Sequence, residues 1–220
     1  MLFPEKLTPP PLIAGMLLPQ GTEAESFSRI ARLERPPPPR YVLARQLFVA
    51  VLTGQPFDWA VQQARDSNDA SQRGYALDLL RTAKTFLHMT RGLKSAEPPT
   101  ARWGPAGGLE LPVATHAVTG QGPSRRVMVL HFWRSELPAE RLALIKGAFR
   151  SSIWRLPGFA GTPIDLVTAP VVPALGRRNL KIVECTDGAI AGDDELDTFH
   201  GELASLWDRY HEVHPIRRWH

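Results

Sequence analysis

The spacing of apolar residues divides the chain into a helical first half and a mixed second half. From residue 41 to residue 93, apolar side chains recur every three or four positions, which is the period of a helix that buries one face. Gly54 and Pro56 interrupt this pattern once, and the polar run DSND at 66–69 interrupts it again. The pattern therefore predicts about three helices, the last of which begins near Ala70.

In the second half, short runs with strand-like composition alternate with helical patterns. The runs at 109–118 and 125–133 flank a turn-rich TGQGPS and predict a hairpin. A helical pattern follows, then two further strands at 163–169 and 180–185. The last helix is predicted at 194–214, because four acids open it and a proline follows it. The sequence thus predicts an α+β fold, with a small mixed sheet in β-β-α-β-β-α order covered by helices.

Proline and glycine mark the predicted boundaries along the chain. Residues 1–40 contain TPPPL and RPPPPR, which favour extended polyproline II and predict an arm that docks on the chain's own body or on a partner. A helical region at 41–93 is followed by a proline- and glycine-rich linker at 94–108. The α/β region is predicted at 109–214 and a basic tail at 215–220.

Composition narrows the class of protein without naming one. With 220 residues, of which 43% are hydrophobic and 22% charged, the chain has the composition of an ordinary globular protein. Its single cysteine, Cys185, excludes an internal disulfide. The longest apolar runs cover less than half of the roughly 20 residues that a membrane span needs. We therefore expect a cytoplasmic, bacterial protein without a membrane segment.

Charge is distributed unevenly between residue types and along the chain. Arginine outnumbers lysine by 21 to 5, which suits phosphate contacts but is equally explained by the codon bias of a GC-rich genome. Arg125 to Lys181 holds ten basic and three acidic residues, whereas Glu184 to Glu212 holds one basic and nine acidic residues. The two segments could neutralise each other, or the first could face nucleic acid while the second faces a protein partner.

The third predicted helix concentrates basic residues on one face. At 100° per residue, five basic side chains fall within an arc of about 80°, well away from the apolar stripe. This basic ridge consists of Arg73, Arg81, Lys84, His88 and Arg91. It could be an ordinary solvated helix face or a surface for nucleic acid. Four arginines at predicted strand ends extend the candidate nucleic-acid surface: Arg125, Arg126, Arg177 and Arg178.

Two acids on neighbouring predicted strands suggest a different chemistry. Asp165 and Glu184, with Lys181 nearby, are the residue types that a magnesium-dependent nuclease uses to hold its metal and orient water. Over residues 70–190 the α-β-β-α-β order resembles the PD-(D/E)XK nuclease family. The chain departs from that family's motif, because Thr186 stands where the motif has a lysine, two residues after the second acid.

The remaining motifs point away from common enzyme classes. His211 and His214 are close enough along a helix to share a ligand, but His200 lies about 16 Å away along the axis. No cysteine or acid completes a zinc set, so we predict no metal at these histidines. The chain also lacks a Gly-x-Ser-x-Gly elbow, a phosphate loop and a dinucleotide fingerprint.

Taken together, these patterns favour a non-catalytic nucleic-acid-binding or assembly subunit without a cofactor. Protein partners are expected at the 1–40 arm or at the 194–214 helix. The alternatives are a magnesium-dependent nuclease that uses Asp165, Glu184 and Lys181, and a purely structural subunit that contacts only protein.

Overall fold

The computed structural model describes residues 11–18, 21–33, 40–90, 96–105, 108–132 and 135–214. Its helices are α1 (Leu12–Met16), α2 (Glu23–Leu33), α3 (Arg40–Leu52), α4 (Phe57–Arg65), α5 (Ala70–Thr90), α6 (Ala139–Ile153) and α7 (Asp193–Val213). No helix in this part of the chain is long and apolar enough to cross a membrane. The three helices expected between residues 41 and 93 are confirmed as α3, α4 and α5.

Local sequence explains where these helices begin and end. The carboxylate of Asp69 accepts hydrogen bonds from the backbone N–H groups of Ser71 and Gln72, at 2.8 and 3.0 Å, and so caps the start of α5. Gly54 adopts a φ of 111° after the end of α3, a conformation that favours glycine. Pro56 directly precedes α4. Proline is tolerated at a helix start, because the N–H group that it lacks would have no partner within the helix.

The main sheet has four strands, β3 (Ala117–Thr119), β4 (Arg126–His131), β5 (Ile164–Thr168) and β8 (Lys181–Glu184), in the order β3-β4-β5-β8. β4 and β5 are parallel and are joined through α6, whereas the two outer pairs are antiparallel. Two small antiparallel pairs stand apart from it: β1 (Ala101–Trp103) with β2 (Leu111–Val113), and β6 (Val171–Val172) with β7 (Arg177–Arg178). The α+β class is confirmed. The described residues contain eight strands where four were predicted, so the predicted β-β-α-β-β-α order is not confirmed in detail.

The sheet separates two hydrophobic cores, because successive side chains of a strand point to opposite faces. One face packs against α1, α6 and α7 through side chains that include Val127, Val129, Ile164 and Leu166. The other face packs against α3, α4 and α5 through Met128, Leu130 and Val167. The central strands are therefore covered on both sides, and charged groups on them must find partners within the protein.

The described part of the segment before residue 40 belongs to the first of these cores. Leu12, Met16 and Leu18 are each at most 1% exposed, and Ile30 of α2 is fully buried. The hydroxyl of Ser26 donates to the backbone carbonyl of Leu18 at 2.9 Å and ties α2 to the end of α1. Within the arm expected at 1–40, residues 11–33 thus form two helices whose apolar side chains pack on the chain's own body, which is one of the two expected placements. Residues 1–10 and 34–39 lie outside the described residues, and the domain boundaries stay a prediction.

Gly147 of α6 lies in close contact with the residues at and just before the start of α7. A Cβ atom on Gly147 would lie 2.8 Å from the carbonyl oxygen of Ala191 and 3.1 Å from Cδ1 of Leu196. We expect Gly147→Ala to lower the free energy of unfolding by about 1 kcal/mol, because crowding costs about 1–3 kcal/mol and alanine's helix propensity returns up to about 1 kcal/mol. Urea unfolding measures this change.

Gly201 on α7 provides the matched control for this prediction. It is exposed, and a Cβ atom there would meet nothing within 4 Å. Gly201→Ala should therefore raise stability by about 0.5–1 kcal/mol. If Gly147→Ala were equally stabilising, the close approach of the two helices would be contradicted.

Candidate functional site

A cluster of three charged side chains lies on the sheet face that the helices α3 to α5 share. The strand register places Asp165 of β5 beside Met128 of β4 on one side and beside Glu184 of β8 on the other. Arg126 of β4 reaches both acids. Its Nε and Nη2 donate to the two carboxylate oxygens of Asp165 at 2.6 and 2.7 Å, and Nη2 also donates to Glu184 at 2.8 Å.

Exposure differs sharply within this Arg126 cluster. The side chain of Asp165 is 6% exposed, whereas those of Arg126 and Glu184 are 35% and 44% exposed. Hydrogen bonding to Asp165, partly opposed by burial, raises the pKa of the Arg126 guanidinium further above its usual range. The hydrogen bond from Arg126 lowers the pKa of Glu184, with a smaller contribution from Thr186. Both shifts favour the charged forms of Arg126 and Glu184, and Asp165 relies on Arg126 for its counterion.

This geometry bears on the predicted nuclease residues. Asp165 and Glu184 lie side by side, but a guanidinium binds both carboxylate oxygens of Asp165, where a metal ion would have to bind. Lys181 lies at the other end of β8, on the opposite face by alternation, and pairs with Glu136. No group of three or more His, Cys, Asp and Glu side chains in the described ranges is arranged to hold a metal ion. The residues present do not fit a magnesium site.

The described members of the basic ridge lie along α5 and differ in their exposure and in their contacts. Arg73 is half-buried and donates to the backbone carbonyl of Ser67 at 2.9 Å, so it closes the loop before the helix. Arg81, Lys84 and His88 are exposed. Lys84 Nζ lies 5.9 Å from the centre of the Phe57 ring, and the His88 ring lies 5.3 Å from it, so the first residue of α4 supports this part of the ridge. Arg91 lies outside the described residues.

Three of the four strand-end arginines are held by contacts within the protein, unlike the exposed members of the basic ridge. Arg126 belongs to the charged cluster. The side chain of Arg178 is 3% exposed and donates to Asp78 of α5 at 3.0 Å and to the carbonyl of Ala169 at 2.6 Å. Arg125 stacks on the Phe159 ring, at 4.0 Å from its centre, and donates to the carbonyl of Gly158. Arg177 is exposed.

The histidines of α7 have partners within the protein. His200 is buried against Trp103, and its Nε2 donates to the carbonyl of Leu109 at 2.7 Å, which fixes the loop between β1 and β2 to the helix. The Nδ1 atoms of His211 and His214 donate to the carbonyls of Trp207 and Tyr210, one turn earlier. These contacts give each ring a structural role at its position.

Sequence reasoning missed two pairings that give these arginines their roles. It assigned Arg126 and Arg178 to nucleic acid, whereas each is bound to an acid elsewhere in the chain. It also did not identify Arg45 and His116, whose side chains lie 3.4 Å apart and line the same cleft. No local signal in the sequence identifies such pairs, because their members are 39 to 100 positions apart.

Comparison with known proteins places the chain in no family. No protein-family model matches it, and no curated protein matches it either. Among solved structures, it is similar to a candidate exonuclease from Eubacterium rectale, with 10% sequence identity and a TM-score of 0.45. That likeness covers 91% of this chain and 79% of the other. At this level of similarity it carries no argument about mechanism.

Proposed function

We propose that the chain binds nucleic acid through the exposed part of the basic ridge, formed by Arg81, Lys84 and His88 on α5. The observation that supports this is an uncompensated charge. Among the described residues neither Arg81 nor Lys84 forms an ion pair, and Asp78, an acid of the same helix, is bound to Arg178. Two cations held one turn apart on a rigid helix suit the phosphates of a nucleic-acid backbone.

The packing of α5 favours this surface over the other arginines. The helix is fixed to α3 and α4 through its buried stripe of Ala76, Leu79, Leu80, Ala83 and Leu87. The ammonium group of Lys84 lies over the Phe57 ring, and this contact limits the side-chain entropy that would be lost on binding. By contrast, recruiting Arg126 or Arg178 would leave Asp165 or Asp78 without a counterion. Non-catalytic binding by the ridge is therefore the function that we propose.

The test is a titration of labelled single- and double-stranded DNA and RNA at several salt concentrations. We expect the double variant Arg81→Gln/Lys84→Gln to bind duplex about tenfold more weakly at low salt. The plot of log K against log salt should become less steep by about 2 units of slope, because each lost phosphate contact removes about 0.9 from the magnitude of the slope. Affinity should change similarly for different base sequences, since phosphate contacts do not read bases.

A matched variant removes the same charge elsewhere. Arg32 of α2 and Arg155 after α6 are exposed and belong to the layer on the other face of the sheet. Arg32→Gln/Arg155→Gln should bind within about twofold of the wild type. Equal losses in both double variants would mean that net charge, and not the ridge, drives binding, and no binding by the wild type would favour a subunit that contacts only protein.

The same samples test the nuclease alternative when magnesium or EDTA is added and the strands are run on a denaturing gel. Intact strands are expected, given the guanidinium between Asp165 and Glu184. Magnesium-dependent cutting by the wild type that is lost in Asp165→Asn would replace the binding proposal with the nuclease.

A further inference from the structure

A cleft between α3 and the residues that lead into β3 places an arginine beside a histidine. Its volume is about 550 Å³. The cleft is lined by the polar residues Arg45, Gln46, Thr115 and His116 and by the apolar residues Val49, Ala50 and Ala114. Arg45 is exposed and His116 is half-buried, so both groups can be reached from solvent.

The hydrogen-bonding state of His116 is set by the sheet. The backbone N–H of Leu130 in β4 donates to Nδ1 of the imidazole at 3.1 Å. Nδ1 therefore carries no hydrogen, and in a neutral ring the single N–H is on Nε2. Burial, with a smaller contribution from the charge of Arg45, lowers the pKa of His116 to about 4, so the ring is neutral at pH 7.

This tautomer turns the contact between His116 and Arg45 into a meeting of two donors. Nε2 of His116 lies 3.4 Å from Nη1 of Arg45. A guanidinium only donates, and Nε2–H also donates, so neither atom satisfies the other. An oxygen acceptor placed in the cleft could take a hydrogen bond from both.

We propose that this cleft binds a small carboxylate whose oxygens accept hydrogen bonds from Arg45 and from Nε2–H of His116. The pair carries one positive charge, which matches a singly charged carboxylate better than a doubly charged phosphate. The guanidinium fork suits the two oxygens of a carboxylate. Val49, Ala50 and Ala114 also line the cleft and offer apolar contacts to the carbon portion of the ligand. The site lies on α3, apart from the basic ridge, and does not depend on nucleic-acid binding.

Isobutyrate and isobutyramide form a matched pair of probes, because they share a shape and differ in charge. We expect isobutyrate to bind the full chain with a Kd on the order of 1 mM by calorimetry and to shift the imidazole nitrogen signals of His116. Isobutyramide should bind at least about tenfold more weakly, since a charge-assisted hydrogen bond is worth about 1.5–3 kcal/mol. Equal binding of the two probes, unmoved His116 signals, or tighter binding of sulfate would overturn the proposal.

Two substitutions separate binding from folding. In His116→Asn the side-chain oxygen can still accept from the Leu130 N–H, while the donor at the Nε2 position is lost. Arg45→Gln removes the charge from an exposed position. Each should weaken isobutyrate binding about tenfold and leave the melting temperature nearly unchanged. Arg65→Gln, an exposed arginine on α4, is the control and should bind like the wild type; wild-type affinity in Arg45→Gln would contradict the site.

Discussion

We expect Arg126→Met to lower the free energy of unfolding by about 3–5 kcal/mol, the largest effect of any charged substitution considered in this protein. Both carboxylate oxygens of Asp165 accept from Arg126, and the Asp165 side chain is 6% exposed. Methionine has the length to fill the space but supplies no counterion. The folded state would then have to hold a buried carboxylate without its partner. Denaturant unfolding at pH 7 measures the loss.

Glu184→Gln is the control for this experiment. Glu184 is 44% exposed, and its removal leaves the pair between Arg126 and Asp165 in place, so we expect a loss of at most about 1 kcal/mol. Because the folded-state pKa of Glu184 is lowered, its contribution is present above its unfolded pKa and is lost as pH falls through the folded value. The difference between wild type and Glu184→Gln should therefore shrink on acidification. Equal losses for Arg126→Met and Glu184→Gln would contradict the dependence of Asp165 on Arg126.

The second large effect is expected at the start of the chain, where Met16→Ala should cost about 2–4 kcal/mol. Met16 is fully buried and belongs to the core formed with α6 and α7. Removing most of its side chain takes away apolar contacts and leaves a cavity, because the surrounding elements cannot fully close into the space. Thermal and urea unfolding both report this change.

Met89 near the end of α5 provides the matched comparison, because it is 73% exposed. Met89→Ala should change stability by less than about 0.5 kcal/mol. If Met16→Ala were equally mild, the packing of α1 on the body would be contradicted, and residues 1–40 would again be available as a docking arm for a partner.

The packing of α1 and α2 shows what the proline pattern left open, because the 1–40 arm was expected to dock either on the chain's own body or on a partner. Prolines before residue 40 predicted an extended segment, since proline removes a donor and restricts the backbone. Prolines do not determine what the intervening apolar residues do, and Leu12, Met16, Leu18 and Ile30 gain more from burial than an extended arm would provide. Contacts such as that between Phe27 of α2 and Tyr210 of α7, with ring centres 5.4 Å apart, depend on residues far along the chain.

The sequence by itself determined the α+β class, the three helices from α3 to α5 and the last helix α7, because apolar spacing and caps act over a few residues. It also identified Asp165 and Glu184 as neighbours across two strands. Only the tertiary structure decided which charges have partners. Arg126 meets Asp165 across 39 positions, Arg178 meets Asp78 across 100, and Arg45 meets His116 across 71. Packing between distant parts of the chain brings these pairs together. The pairs show which arginines stabilise the fold and which can bind a ligand.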